Sequence, residues 1–178
     1  AWNGTGDPGN ARTIAWWHDL LCRGAHTPVV GGSDFHRHEL LRHVGAPATF
    51  VYAASRAADD IVAALRAGRS FIAFSKTGPL LDLRIGGKGF GESVTPDAPQ
   101  EVPASFGQGG DQVRLLDGRG NVTEWRVPFD GEHATGFAAS PDAQFYRLEV
   151  RRTLTPGVEL LVGLSNPVFV EPPGVRRL

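Results

Sequence analysis

An α/β segment followed by an all-β sandwich is the fold this sequence predicts, and three observations lead there. Helical and extended patterns alternate as far as the turn Lys76-Thr77-Gly78-Pro79. Beyond it the helical period vanishes, and short alternating runs separated by glycine, proline and aspartate take over. One of those runs, Gln144 to Arg152, sets Tyr146, Leu148 and Val150 against Arg147, Glu149 and Arg151, which predicts one apolar and one charged face. Residues 1–79 and 80–178 are accordingly read as two parts.

In the first part, Asn10 to Arg23 carries Ile14, Trp17, Leu20 and Leu21 at helical spacing. Asn10 suits the N-cap and Gly24 the residue past the C-terminus. A short strand around Val29 and Val30 follows, and Gly31-Gly32 permits a sharp exit from it. Thr49 to Tyr52 reads as a second strand. Ser55 is placed to cap a helix with Asp59 and Asp60 in its first turn, Ile61, Val62 and Leu65 as its buried stripe and Gly68 at its end. Ser70 to Ser75 reads as a third strand, and helix-separated strands of this kind ordinarily pair in parallel.

In the second part, candidate strands lie around Leu80 to Ile85, Glu101 to Phe106, Gln112 to Leu116, Val122 to Val127, Thr135 to Ala139, Gln144 to Arg152, Glu159 to Leu164 and Val168 to Val170. Seven or eight such strands suit an immunoglobulin-like sandwich. Gly86-Gly87-Lys88-Gly89-Phe90-Gly91 resembles a phosphate loop only superficially. No Lys-Ser/Thr pair opens a helix there, so a hairpin or loose connection is expected, as is a turn at Gly107-Gln108-Gly109-Gly110-Asp111.

Composition excludes several classes. The 178 residues are 41% hydrophobic and 21% charged, as in ordinary globular proteins, with no apolar run of transmembrane length. The formal net charge is -1 with scattered lysines and arginines, so neither nucleic acid nor anionic membrane is an expected partner. A single cysteine, Cys22, rules out an internal disulfide and any cysteine-cluster zinc site. The chain contains no methionine and opens on Ala1-Trp2-Asn3. The natural amino terminus is therefore expected upstream, and localisation stays open.

The chemistry-bearing stretch is Gly31-Gly32-Ser33-Asp34-Phe35-His36, at the carboxyl end of a predicted parallel strand, where α/β barrels collect their reactive groups. In extended backbone, residues two apart point the same way, so Asp34 and His36 would face a cleft with Phe35 packed behind. A carboxylate oxygen and an imidazole nitrogen suit zinc, manganese or iron better than calcium, though two ligands alone choose no metal. The competing reading makes Asp34 a turn cap and His36 an ordinary exposed histidine. His38 is expected on a solvated helix, and His18, His26 and His43 are expected to be structural. Ser33 is not a nucleophile elbow, since Phe35 stands where that motif requires glycine.

Set in order, Trp2-Asn3-Gly4, Trp16-Trp17, Gly32-Ser33-Asp34-Phe35-His36, Gly45 with Pro47 and Thr49, Ala64-Leu65 with Ala67-Gly68-Arg69, Gly78-Pro79 and Leu164-Ser165-Asn166-Pro167 span nearly the whole chain. In these features it resembles the PHP (polymerase and histidinol phosphatase) metal-dependent phosphoesterases, and in particular the branch containing bacterial carbaryl hydrolases. The Gly-Ser-Asp-x-His element is the most specific part.

The resemblance implies that residues 1–79 are the closing βα units of a distorted (β/α)7 PHP barrel, with two or three divalent metal ions in the intact relative. It implies Asp34 and His36 as the last two metal ligands. The family's amino-terminal His-x-His pair, its further histidines and a glutamate just before the Trp-Asn element are not in this sequence. The expectation is thus a C-terminal fragment of a metal-dependent hydrolase acting on a small-molecule ester, inactive alone and partnered by the N-terminal part of the barrel. An exposed hydrophobic edge should mark the opened barrel.

The alternative, from a different class, is a non-catalytic β-sandwich module that binds a ligand or partner. Trp125, Phe145 and Tyr146 are its candidate stacking residues, against core packing as the simpler role.

Overall fold

The computed structural model describes residues 1–5, 7–37, 43–96, 104–134, 137 and 142–171. Among these the chain is mostly β, with two helices and a large antiparallel sheet consistent with a β-sandwich. The elements run β1 (Trp2–Asn3), α1 (Gly9–Cys22), β2 (Gly31–Gly32), β3 (Ala48–Val51), α2 (Ala58–Arg66), β4 (Ser70–Ala73), β5 (Leu80–Asp82), β6 (Ser93–Val94) and β7 (Ala104–Gly107). They continue as β8 (Gln112–Asp117), β9 (Gly120–Arg126), β10 (Gly131–Ala134), β11 (Phe145–Thr155), β12 (Val158–Ser165) and β13 (Val168–Val170).

The long strand β11 organises the main sheet. On one side it pairs with β8, and on the other with β12 and then β13, which continues the same edge past Asn166-Pro167. Across that interruption the Ser165 hydroxyl accepts from Leu148 N at 2.8 Å, so the buried amide stays paired. β4 then joins β12 and β3 joins β4, both antiparallel.

The pairing of β3 with β4 departs from the parallel arrangement that a helix-containing connection suggests. Tyr52 N donates to Arg69 O at 2.8 Å, so the chain leaves and re-enters the ladder at one end. Residues 53–68, with α2, form the loop of a long hairpin and do not cross over to the sheet's other end. The sheet also runs across position 79, since β4 from the first part hydrogen-bonds to β12 from the second.

Alternation sorts the side chains into two cores. Phe71 and Ala73 of β4, Tyr146, Leu148 and Val150 of β11, and Val162 face the smaller sheet β10-β7-β5, which supplies Leu81. Ile72, Phe145 and Leu164 point the other way, against Ile14, Trp17 and Leu21 of α1. Val162 and Leu164 can serve opposite faces because the β11–β12 register shifts between Val150 and Arg151.

Both helices form where expected, with altered details. Gly24, at φ +84°, ends α1, and Gly68, at φ +70°, ends α2. Asn10 is not the N-cap. The helix starts at Gly9, whose amide is held by Asp7 Oδ1 at 2.7 Å, and the Asn10 side chain is used elsewhere. Ser55 sits ahead of the α2 cap residue Ala57, accepting from Ala57 N at 3.0 Å. In α2 only Ala64 is buried and Val62 is exposed, so the nine-residue helix buries little beyond one small side chain.

The charged face of β11 does not meet solvent along its length. Arg147 is 3% and Glu149 6% exposed, because α1 lies over this side of the sheet. Ile85 and Lys88 bridge as a tight turn, as expected of the glycine-rich run. The predicted strand at Thr135 to Ala139 lies outside the described residues except for Phe137, as do the start of the Glu101 to Phe106 run and His38.

Candidate metal centre

The candidate site grows from a two-stranded parallel pair. β1 and β2 align Trp2 with Gly31 and Asn3 with Gly32, and Gly4 N donates to Gly32 O at 2.8 Å. Gly31 is required by close packing: a Cβ there would lie 2.8 Å from Ile72 Cγ2 and 2.9 Å from Trp2 O.

Both outer edges of the pair are closed by side chains. Asn10 Oδ1 accepts from Asn3 N at 2.9 Å, and its Nδ2 donates to Asn3 O at 3.3 Å and Gly4 O at 3.1 Å. On the other edge the Thr49 hydroxyl accepts from Gly31 N at 3.0 Å and donates to Gly31 O at 2.8 Å. The expected open edge therefore has these backbone groups satisfied. Val30, just before β2, remains exposed, as does Trp16 on α1.

At the carboxyl end, Asp34 and His36 converge: His36 Nε2 stands 3.1 Å from Asp34 Oδ1. The route is not the extended one. Asp34 has φ +51°, in the left-handed region that aspartate tolerates better than most residues. A turn brings the pair together, whereas strand alternation would not have set His36 against the Asp34 carboxylate. The Asp34 side chain is 26% exposed and that of His36 78%, so the pair lies on an open surface. Gly4 backs it, with its missing Cβ position 3.4 Å from Asp34 Cβ and Ser33 O.

One carboxylate and one imidazole of this kind fit part of a divalent ion's shell. Zinc sites ordinarily need three or four protein ligands. No group of three or more His, Cys, Asp or Glu side chains suited to a metal exists among the described residues.

Three other histidines, His18, His26 and His43, are placed elsewhere in the described residues. His18 Nδ1 accepts from Arg147 Nε at 3.2 Å, which requires the neutral imidazole, and burial lowers its pKa from 6.5, with the Arg147 charge acting the same way. His26 stacks on Phe169 at 3.7 Å and faces Glu171 at 3.2 Å. His43 bridges to Ala46.

No family model, curated protein or solved structure matches this chain. The resemblance to PHP enzymes therefore rests on the sequence motifs alone.

Several residues that build the site region carry no signal of that role in the sequence. Asn10 and Thr49 are ordinary polar residues until the fold sets them beside strand edges. Trp125, Phe145 and Tyr146 pack into or against the cores, with Phe145 and Tyr146 fully buried. No helix among the described residues is long and apolar enough to cross a membrane.

Proposed function

We propose that this chain is the C-terminal part of a PHP-type metal-dependent hydrolase, with Asp34 and His36 as its last two metal ligands. The observation that carries the reading is the convergence of these two side chains at the carboxyl end of adjacent parallel strands, within the Gly-Ser-Asp-x-His element.

Asp34 Oδ1 and His36 Nε2 would hold the ion, zinc, manganese or iron, with the remaining ligands coming from the N-terminal part of the barrel. When bound, a divalent ion acidifies water for attack on an ester and stabilises the leaving oxygen. This chain's own share is to present the carboxylate and imidazole from a braced turn: β2 is fixed by Gly4 and Thr49, and β1 by Asn10. Two ligands give weak affinity, so the chain alone is expected to be inactive toward phosphoesters and carboxyl esters. Of the binding-module alternative's stacking candidates, Phe145 and Tyr146 are buried in the cores and Trp125 packs partly buried against one of them.

Calorimetric titration with Zn²⁺ and Mn²⁺ tests the reading, run on the chain and on Asp34→Asn and His36→Ala. Weak binding abolished in both variants supports it. Tight binding, or binding that both variants retain, would overturn it. Intact mass and metal content of the purified material establish whether a second chain carrying a His-x-His segment accompanies it.

A further inference from the structure

A second polar site lies away from Asp34, between α1 and the charged face of β11. A cleft of about 460 Å³ opens there, floored by Arg147, Glu149 and Arg151 and walled by Ile14, Leu160 and Leu161. The floor is fixed. Arg147 lies 5.4 Å from the centroid of the Trp17 ring, donates through Nε to His18 and bonds Glu149 Oε1 through Nη1 at 2.8 Å. Arg151 Nη2 reaches the other Glu149 oxygen at 3.4 Å.

Two guanidinium groups thus share one carboxylate, leaving one positive charge unmatched within the triad. The neighbouring Arg114 does not alter the balance, because it is paired with Glu124 at 2.7 Å. Asp7 and Glu159 also line the cleft but are exposed. Asp7 Oδ1 is taken by Gly9 N, and neither residue makes an ion pair with Arg147 or Arg151. Arg151 Nε is buried with no acceptor among the described residues. A partly desolvated charge without its counter-ion is unfavourable, and an arginine with unclaimed N–H groups is suited to an oxyanion.

We propose that this cleft binds a small organic carboxylate with an apolar body, its carboxylate on the partly exposed Arg151, which Arg147 holds in place through the shared Glu149, and its body against Ile14, Leu160 and Leu161. The site does not depend on the metal reading and uses neither Asp34 nor His36, although Asn10, which braces β1, also lines the cleft.

The test is titration with 2-naphthoate followed by tryptophan fluorescence, since Trp2 lines the cleft and Trp17 contacts its floor. Saturable binding is expected, with 2-naphthalenemethanol, which lacks the charge, binding at least about tenfold more weakly. Arg151→Met should weaken naphthoate by a similar factor while His36→Ala leaves it unchanged. Should Arg151→Met fail to fold, Leu160→Glu sets a repelling carboxylate at the wall without touching the triad, and the same loss is expected. Absence of saturable binding, full affinity in either folded cleft variant, or inorganic phosphate binding as tightly as naphthoate would each overturn the proposal.

Discussion

The Asn166 side chain pairs with both backbone groups of Val29, Oδ1 accepting from Val29 N at 2.7 Å and Nδ2 donating to Val29 O at 2.9 Å. The same Nδ2 donates to Ser70 O at 3.0 Å, so one fully buried amide ties the segment entering β2 to β4 and to the β12–β13 junction. A side chain here takes the place of a strand neighbour. The path to Asp34 is thereby anchored to the main sheet through a residue 137 positions from Val29.

Asn166→Ala should strip partners from buried Val29 N and O, while Ser70 O keeps the backbone N–H of residue 166 at 3.3 Å. Each orphaned group costs about 1–3 kcal/mol. A destabilisation on the order of 3 kcal/mol is expected in urea unfolding, and a loss below about 1 kcal/mol would show that water replaces the amide.

Gly91→Ala should be more damaging. An added Cβ would lie 1.8 Å from Ala67 O, at a backbone φ of +77°, while Gly91 N is committed to Pro167 O at 2.7 Å. Backbone faces backbone, so no side chain can give way. Loss of about 3 kcal/mol or more is expected. A thermal melt at the wild-type temperature would refute the close approach.

Asp34→Asn and His36→Ala should leave stability within about 0.5 kcal/mol, since the side chains are partly or largely exposed and asparagine also accepts a positive φ. Asp34→Ala, lacking that tolerance, should cost about 1–2 kcal/mol through φ +51° alone. Equal melting of Asp34→Asn and Asp34→Ala would show that the turn carries no backbone strain.

Stability should fall in two steps on acidification. Burial lowers the His18 pKa below 6.5, and Arg147 lowers it further. For Glu149, burial pushes upward, but the Arg147 and Arg151 charges and hydrogen bonds outweigh it and hold the carboxyl below 4.5. In both cases the unfolded chain binds the proton more readily across the interval, so stability rises with pH there. The His18 contribution is complete above pH 6.5 and is lost as the pH falls through its folded value. That of Glu149 is complete above pH 4.5 and is lost below it. Unfolding free energy measured against pH should lose its upper step in His18→Gln. An unchanged profile would contradict the neutral imidazole beside Arg147.

What could be read from the residues was local. Gly24 and Gly68 end their helices because a positive φ is a property of the glycine itself. The two-residue alternation of β11 survives because side-chain direction follows from backbone geometry whatever surrounds it. The pairing of Asp34 with His36 was expected for a reason the fold did not use, since a left-handed turn replaced the extended backbone.

Tertiary structure decided the partners. Whether β3 meets β4 parallel or antiparallel, whether Arg147 and Glu149 face water or α1, and whether Asn10 caps a helix or a strand edge all depend on elements distant in the chain. A polar side chain has comparable affinity for any donor or acceptor, so its sequence neighbourhood does not name its partner. Only the packed layers do, by removing water from one side and leaving a specific backbone group in reach.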